Sequence, residues 1–354
     1  GREEIQLNVE EINKNLKEKT ILVTGAAGSI GSGIVKQIAR FDPKNVILFD
    51  QAESALYDLQ WELKDTEPQL NFEVVIGDVT HNERVINLIN SFQPQIVFHA
   101  AAYKHVPLME LNPSEAVKTN VLGSKHLADA CDEFGVEKFI FISTDKAVNP
   151  TNVMGATKRA AEIYIQSKNA TSKTLFITTR FGNVLGSNGS VIPLFQKQIE
   201  NGGPITITDE RINRFFMSIP EACQLVLEAG AMGKGGEIYV FDMGESVKII
   251  DLAKKMISLS GLTINKDIQI KITGLRPGEK LYEELLANEE NTLPTHHEKI
   301  LVAKTNVRKN MNDKINKLIS LIDGQKNQKL VLILKEIIPE YVSQNSEFEE
   351  LDKS

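Results

Sequence analysis

A glycine-rich turn between a strand-like segment and a helical segment constrains this chain most. Residues 20–24 form a short, apolar, β-branched run of the kind that fills a buried parallel strand. Residues 29–40 then have the apolar spacing of a helix. The turn at 25–31 joins the two directly, which predicts the opening strand–turn–helix unit of a dinucleotide-binding α/β domain.

The glycines of this turn, Gly25, Gly28 and Gly31, have separate predicted tasks. The first permits a tight turn, the second lets the backbone approach a pyrophosphate, and the third lets helix and strand pack closely. The helix begins at Ser29 and Ile30, where free N–H groups and a partial positive charge favour phosphate. A plain helix-start turn is the alternative, because glycine-rich segments alone are weak evidence.

Acidic residues follow the next two strand-like segments. Asp50 ends the second one, where its carboxylate can accept a hydrogen bond from an adenosine ribose hydroxyl. It favours NAD over NADP, because a 2′-phosphate would face the carboxylate, although NADP stays open. Asp78 can reach the adenine, with a loop-capping role as the alternative. Further residues predicted to line the cofactor site also lie just beyond strand-like segments: Val79, Ala100 and Ala102.

Strand-like and helical segments continue to alternate after the turn. The predicted strands lie at 46–50, 72–76, 96–99, 138–142, 174–180, 204–208 and 238–241, and the predicted helices at 53–64, 83–92, 113–134, 154–168, 219–229, 249–260 and 281–290. This order is typical of a doubly wound, mostly parallel sheet with helices on both faces. The sequence therefore predicts a Rossmann-type α/β fold with a smaller C-terminal substrate-binding lobe.

We expect four regions along the chain. Residues 1–17 are a polar lead-in, and 18–182 form the dinucleotide-binding domain, to which segments near 213–242 return. Residues 183–212 and 243–308 form the substrate-binding lobe, since glycine- and asparagine-rich loops appear there. Residues 309–354 are a polar, helical tail.

Composition excludes several classes of protein. The net charge of −7 gives no basic footprint for nucleic acid. Two cysteines, Cys131 and Cys223, lie in apolar helical stretches, which predicts buried thiols, a cytoplasmic setting and no zinc site. No run of about 18 apolar residues is present, so no segment of this sequence is predicted to span a membrane. The chain begins at Gly1, which leaves open a longer protein held at the inner membrane by a preceding segment.

A hydroxyl, a carboxylate and an amine follow the predicted strand 138–142. They belong to Thr144, Asp145 and Lys146, and ligands of doubly wound sheets bind at such strand ends. Met154 and Lys158 lie four apart on a predicted helix and therefore on one face. We interpret this cluster as a reaction centre beside a nicotinamide ring. A surface ion pair and a solvated helix face are the alternatives, while Met154 can serve in core packing.

These residues carry a family resemblance. The chain resembles the extended short-chain dehydrogenase/reductases and, more narrowly, the UDP-N-acetylglucosamine 4,6-dehydratases of the CapD-like polysaccharide biosynthesis group. The matching stretches are 24–31, 100–107, 143–150, 151–158, 214–216 and 276–280. Most of the superfamily has Tyr-x-x-x-Lys, whereas Met154 stands at the tyrosine position and cannot carry a proton. That departure argues against ordinary dehydrogenase or epimerase chemistry, and a subgroup of the dehydratases shares it.

The resemblance implies oxidation at sugar C4, loss of water across C5 and C6, and return of the hydride to C6. Lys146 is the candidate base for the C5 proton, which requires a lowered pKa. Asp145 is the candidate acid for the departing hydroxyl. Thr144 would bond the C4 oxygen and relay its proton to Asp145 or water. Lys158 would hold the nicotinamide ribose.

The resemblance and the charges also indicate substrate contacts. Arg214 and Arg276 are candidates for the diphosphate, because guanidinium matches phosphate geometry. Asn183 resembles the family's substrate-binding asparagine, Lys104 can reach the sugar or its N-acetyl group, and Glu279 lies in the same motif as Arg276. A structural salt bridge is the alternative for each of them.

Two other functions stay open on the same fold. One is a nucleotide-sugar epimerase or reductase, and the other is a non-catalytic nicotinamide-binding regulator. By resemblance we expect UDP-N-acetylglucosamine as the substrate and retention of configuration at C5. We also expect a homo-oligomer, a dimer or larger, in which residues 113–134 and 154–168 form contacts between subunits.

Overall fold

The computed structural model describes residues 5–284, 292–304 and 311–353. The strands in these ranges are β1 (Thr20–Thr24), β2 (Asn45–Asp50), β3 (Phe72–Ile76), β4 (Ile96–His99), β5 (Lys138–Thr144), β6 (Leu175–Phe181), β7 (Asn183–Val184), β8 (Ile205–Ile207), β9 (Asn213–Met217), β10 (Ile238–Phe241), β11 (Ser246–Lys248), β12 (Ile270–Ile272), β13 (Thr292–Pro294) and β14 (Ile300–Ala303).

The α-helices in the same ranges are α1 (Val9–Leu16), α2 (Ser29–Ile38), α3 (Glu53–Thr66), α4 (Asn82–Phe92), α5 (Val106–Leu111), α6 (Pro113–Ala116), α7 (Ser124–Glu133), α8 (Val153–Asn169), α9 (Val191–Glu200), α10 (Ile219–Met232), α11 (Ile249–Leu259), α12 (Asn312–Ile319) and α13 (Asn327–Ile337). A π-helical segment, Val117–Gly123, joins α6 to α7. None of the helices in these ranges is long and apolar enough to cross a membrane.

Nine strands form one sheet in the order β13-β14-β10-β6-β5-β4-β1-β2-β3. The seven strands from β10 to β3 are parallel, whereas β14 and β13 pair antiparallel at the edge. The chain reverses its direction of travel between β1 and β4, which makes this the place where a doubly wound sheet binds ligands. The predicted Rossmann-type fold is confirmed.

Alternate residues of the central strands enter two different cores. Leu22, Phe139 and Phe141 belong to one apolar cluster, and Ile21 and Ile140 belong to the other. Because successive side chains of a strand point to opposite faces, the two clusters lie on opposite sides of the sheet. Helices α4, α7 and α8 supply residues to the first cluster, and α2, α3 and α10 supply the second.

The second lobe is built on two small sheets, β11-β9-β7 and β12-β8. Its own apolar cluster includes Phe195, Ile205 and Ile257. The pairing of β7 with β9 joins residue Asn183 to the strand that carries Arg214. Strand β7 was not predicted from the sequence, because a two-residue strand has no readable alternation. The five residues of β9 were not predicted as a strand either. The expected boundaries between the domains stay a prediction.

Two predicted helices differ from the structure. Residues 113–134 are helical as expected, but the π-helical segment interrupts the α-helix. The helix predicted at 281–290 is absent from residues 281–284, and its remaining part lies outside the described residues. The segment 280–283 instead lies beside the partly buried side chain of Arg214, and the carbonyls of Lys280 and Leu281 accept hydrogen bonds from its guanidinium.

The tail is helical as predicted, and it is also part of the core. Its apolar residues share the cluster of helix α8: Ile315, Leu318, Leu330, Leu334 and Ile337. Helices α12 and α13 contact α8 and the π-helical segment, which are the segments expected to form subunit contacts. Beyond α13, the N–H groups of Val342 and Gln344 donate to the carbonyls of Pro150 and Thr151. The tail thus braces the loop that leads into α8.

Candidate active site

The glycine turn has the geometry that the sequence indicated. Gly25 has a φ of +66°, and a Cβ there would lie 2.5 Å from the backbone nitrogen of Ala101. A Cβ at Gly31 would lie 2.0 Å from the carbonyl oxygen of Gly25. Only glycine fits these two positions, because both the turn and the helix approach other backbone closely. Gly28 stands at the N-cap of α2 and exposes the start of the helix.

The two acidic residues face one cavity beside this turn. The carboxylate of Asp50 accepts from the N–H groups of Ala27 at 3.0 Å and Ala52 at 2.9 Å, so it fixes the turn as well. The carboxylate of Asp78 accepts from the N–H of Thr80 at 2.8 Å, which is the loop-capping role held open above. The cavity is also lined by Gly25, Gly28, Val79, Ala100, Ala102 and Tyr103.

Thr144, Asp145 and Lys146 converge on one oxygen atom at the end of β5. Oδ1 of Asp145 accepts from the Thr144 hydroxyl at 2.8 Å and from Nζ of Lys146 at 2.9 Å. The Asp145 side chain is buried, and no described residue donates a hydrogen bond to its other oxygen, Oδ2. A buried carboxylate oxygen without a donor is unusual, and it suits a group that works on a ligand.

The expected lowering of the Lys146 pKa is wrong: the protein's own charged groups raise this pKa. Burial lowers the pKa, but the carboxylates of Asp145 and Glu283 outweigh burial and raise the pKa above its ordinary value, while Arg214 opposes them. Nζ of Lys146 lies 2.9 Å from Asp145 Oδ1 and 3.4 Å from Glu283 Oε1. It also donates to Asn183 Oδ1 at 3.3 Å. Opposite charges at this range favour the ammonium form.

Helix α8 presents Met154 and Lys158 to the same strand end. Asn152 caps the helix by accepting from the N–H of Gly155, and a Cβ at Gly155 would lie 2.1 Å from the Lys146 carbonyl. Lys158 Nζ donates to the carbonyl of Ile142 at 2.6 Å. Burial lowers the pKa of Lys158 to about 7, partly offset by the charge of Glu162. Met154 is buried beside it.

The predicted substrate residues fall into two groups. Asn183 and Arg214 lie near Lys146, and the Arg214 guanidinium donates to the carbonyls of Asn213, Leu281 and Lys280. A phosphate would have to replace some of these acceptors.

Lys104 and Arg276 lie farther out. Arg276 has a side chain that is 57% exposed and that pairs with Glu279 at 3.2 Å. Burial and the charges of Lys104 and Arg276 lower the pKa of His105, so both cations lie close enough to act on this ring.

Two residues of this region were missed in the sequence. Glu283 is a buried carboxylate beside Lys146, and nothing in its local pattern distinguishes it from exposed Glu284. Asn120, in the π-helical segment, bonds both backbone groups of Tyr103 and the hydroxyl of Thr157. It therefore holds the loop that lines the cavity against the helix that carries Lys158. The available signal was an asparagine inside a predicted helix, because asparagine is unfavourable in helix interiors. The segment proves to be π-helical, and π-helical turns often occur at functional sites.

The doubly wound sheet, the glycine turn after β1 and the Met154–Lys158 pair on α8 define an extended short-chain dehydrogenase/reductase. The model of the family described as "Polysaccharide biosynthesis protein" matches residues 21–305. The chain belongs to this family.

Three relatives are similar to this chain over most of its length. The capsular polysaccharide biosynthesis protein CapD of Staphylococcus aureus is 54% identical over 86% of this chain and 51% of its own length. A Campylobacter jejuni protein named UDP-N-acetylglucosamine 4,6-dehydratase (inverting) is 36% identical over 88% of this chain and 90% of its own length. A Rickettsia bellii protein named UDP-glucose 4-epimerase is 38% identical over 77% and 79%, respectively.

Among solved structures, Pen from Bacillus thuringiensis has the same fold, with a TM-score of 0.75 and 37% identity over 83% of this chain and 92% of its own. The Thermus thermophilus UDP-glucose 4-epimerase solved in complex with NAD is more distant. Its TM-score is 0.65, with 24% identity over 76% of this chain and 90% of its own. The chain spans about half of the length of CapD.

Proposed function

We propose that the chain is an NAD-dependent nucleotide-sugar 4,6-dehydratase that acts on UDP-N-acetylglucosamine and retains the configuration at C5. The observation that carries the proposal is the meeting of the Thr144 hydroxyl and the Lys146 amine on one oxygen of buried Asp145. Elimination needs a base and an acid at neighbouring carbons, and adjacent side chains supply both. Met154, which cannot carry a proton, fits the Met-containing dehydratases better than the tyrosine-dependent enzymes.

The glycine turn and its cavity suit NAD. The N-terminus of α2 would hold the pyrophosphate, Asp50 the adenosine ribose and Asp78 the adenine side of the cavity. NAD supplies hydride chemistry when it is bound, by accepting the hydride of C4 and returning it to C6. Lys158, with a pKa of about 7, would bond the nicotinamide ribose. The Asp50 carboxylate disfavours the 2′-phosphate of NADP.

The proton of the C4 hydroxyl leaves through Thr144. The Thr144 hydroxyl already donates to Asp145 at 2.8 Å, so it can pass the proton of C4 to that carboxylate. Asp145 thereby becomes the acid that the later step requires. This route assigns the proton acceptor that Met154 cannot provide.

Protonation of Asp145 prepares Lys146. The Asp145 carboxylate is one of the charges that raise the pKa of Lys146, so its neutralisation favours release of the ammonium proton to water. Neutral Lys146 then takes the C5 proton, and protonated Asp145 gives its proton to the C6 hydroxyl, which leaves as water. After hydride returns to C6, Lys146 gives a proton back to C5 and regains one from water. The proton count then closes.

The substrate would lie between the two lobes. The exposed Arg276 guanidinium and Lys104 suit the diphosphate and the sugar, with Glu279 orienting Arg276. Asn183 would bond the sugar beside Lys146. Arg214 would reach a phosphate only by leaving the backbone carbonyls that it now binds. We also propose a homo-oligomer, although the tail covers part of the helices expected to form its contacts.

The test is to incubate the protein with NAD and UDP-N-acetylglucosamine in deuterated water and to identify the product by mass spectrometry and proton NMR. We expect loss of one water, a 4-keto-6-deoxy sugar and deuterium at C5. Lys146→Ala should abolish C5 exchange while the cofactor stays bound, and Asp145→Asn should slow water loss by about 10²–10⁴. Lys248→Ala, on exposed β11, is the matched control and should keep full activity.

An epimerase is the second candidate, because the similarity to the Rickettsia bellii protein is of the same size as that to the dehydratase. Its product would have the mass of the substrate. Tight NAD binding without turnover of either kind would favour a non-catalytic regulator. Full-rate C5 exchange in Lys146→Ala would remove Lys146 as the base.

A further inference from the structure

A second buried carboxylate stands behind the reaction centre. Glu283 has a side chain that is only 4% exposed, and its Oε1 lies 3.4 Å from Nζ of Lys146 and 3.5 Å from Nε of Arg214. Burial of a carboxylate costs free energy unless cations compensate it. Glu283 therefore lies between two cations, and one of them is the candidate base.

The position of Glu283 is fixed from the second lobe. Arg214 on β9 donates to the carbonyls of Lys280 at 2.8 Å and Leu281 at 3.2 Å, which ties the segment before Glu283 to that strand. Strand β9 pairs with β7, whose first residue, Asn183, accepts from Lys146. The contacts to Nζ of Lys146 thus come from both lobes.

The charges that face Lys146 come from three elements. Asp145 follows β5, Glu283 lies in the segment after 280, and Arg214 projects from β9. Beyond them, Glu279 lies 3.7 Å from Arg214. When Asp145 is protonated, Glu283 is the carboxylate that still contacts the lysine ammonium.

We propose that Glu283 is a positioning residue for Lys146: its carboxylate, itself held by Arg214, keeps the amine beside Asp145 and sets when Lys146 releases its proton. The proposal rests on the proposed function, in which Lys146 acts only after losing that proton. The Glu283 carboxylate pairs with Lys146 and with Arg214, so its effect on the reaction passes through Lys146.

The structure sets the direction of the effect. Both carboxylates raise the pKa of Lys146, and Arg214 lowers it. Glu283→Gln keeps the shape and removes a negative charge, so the pKa of Lys146 should fall. A fall caused by Glu283→Gln, with no fall in a neighbouring surface variant, separates an electrostatic role from general damage.

The first experiment measures Lys146 without turnover. Protein labelled with ¹³C at lysine Cε is titrated by NMR in the Asp145→Asn background, which mimics protonated Asp145, and the Lys146 signal is assigned by its loss in Lys146→Arg. Adding Glu283→Gln should move the midpoint to lower pH by about one unit. Adding Glu284→Gln, which changes a surface residue that pairs with Lys280 and Asn149, should not move it.

The second experiment measures C5 deuterium exchange against pH in the otherwise unchanged enzyme. Glu283→Gln should shift the rising limb to lower pH and reduce kcat by about tenfold because the amine is less well placed. KM should stay within about twofold, and Glu284→Gln should match the unaltered enzyme in every respect.

An unchanged Lys146 midpoint in the Glu283→Gln background would overturn the proposal. Should that variant fail to fold, Glu283→Asp keeps the charge but withdraws the carboxylate from Nζ of Lys146, so the midpoint should still fall, and no change would count against the proposal. If the unaltered enzyme releases no water from the sugar, the proposed function fails, while the NMR titration still tests the Glu283–Lys146 contact.

Discussion

Arg180 on β6 and Glu162 on α8 form a buried ion pair, with Arg180 Nε donating to Glu162 Oε1 at 2.7 Å. The Ser143 hydroxyl donates to the same oxygen at 2.6 Å, and Arg159 pairs with Oε2 at 3.0 Å. Glu162 thus links strands β5 and β6 to helix α8, which carries Lys158. One of the linked residues, Ser143, directly precedes Thr144, so the ion pair helps to position the reaction centre.

Glu162→Gln should therefore destabilise the fold strongly. The substitution leaves the buried Arg180 cation without its carboxylate, which costs about 3–5 kcal/mol in comparable pairs. Urea unfolding at pH 7 measures it. Glu62→Gln, which breaks an exposed pair with Lys36, is the control and should cost less than about 1 kcal/mol. Equal costs for the two variants would show that the buried pair has no special role.

The pKa of Lys158 predicts a stability that depends on pH. That pKa is about 7 in the folded chain and about 10.4 in the unfolded chain, so the unfolded state binds more protons between these values. The free energy of unfolding of the unaltered protein should therefore rise with pH relative to Lys158→Met. The slope of this difference should reach about 1.4 kcal/mol per pH unit between pH 7.5 and 9.5.

The matched control for Lys158 is Lys168, on the same helix. Burial lowers its pKa, but hydrogen bonds to Asp132 and Asp129 outweigh burial and raise it. It keeps its proton in both states across this window, so the difference between the unaltered protein and Lys168→Met should be flat. A flat difference for Lys158→Met as well would contradict a lowered pKa.

Asp50→Ala should reduce the preference of the protein for NAD over NADP. The change removes the expected acceptor for the ribose hydroxyl and the acceptor that fixes the N–H of Ala27. Affinity for NAD should fall by about tenfold, the equivalent of one hydrogen bond to a charged group. Affinity for NADP should fall less, because the repulsion of its phosphate disappears. Calorimetric titration with both cofactors tests this, and an equal loss for both would argue against contact with the ribose.

Leu334→Ala tests whether the tail belongs to the fold. Leu334 is fully buried on α13 in the cluster of α8, so its truncation should cost about 2–5 kcal/mol in one cooperative transition. Leu259→Ala, at a side chain that is 78% exposed, should change the free energy of unfolding by less than about 0.5 kcal/mol. A separate, weaker transition of the tail would show that it folds independently.

The local pattern of the sequence predicted a large part of this molecule. Strands β1 to β6 and helices α2, α3, α4 and α8 were found within a few residues, because buried parallel strands and amphipathic helices leave distinct apolar spacings. The short helix α5 was not predicted. Gly25 and Gly31 were assigned on steric grounds that the structure bears out. The proximity of Asp145 and Lys146 could be predicted without a structure, since two adjacent residues directly after a strand lie at the same end of that strand.

Other features could not be predicted, because they depend on which distant segments meet. Glu283 reaches Lys146 only because β9 and the segment after 280 pack together. The tail was predicted to be polar, yet its apolar side chains are buried against α8. The sequence analysis expected a lowered pKa for Lys146, whereas the carboxylates of Asp145 and Glu283 face its amine and raise its pKa.

The sequence by itself determined the order of strands β1 to β6, the turn that suits a pyrophosphate and the chemical groups at the end of β5. Tertiary structure alone decided the charge around Lys146, the brace supplied by the tail and the buried Arg180–Glu162 pair. The physical reason is range. Backbone preference and apolar periodicity act over a few residues, whereas electrostatic environment and burial are sums over every segment that packs nearby.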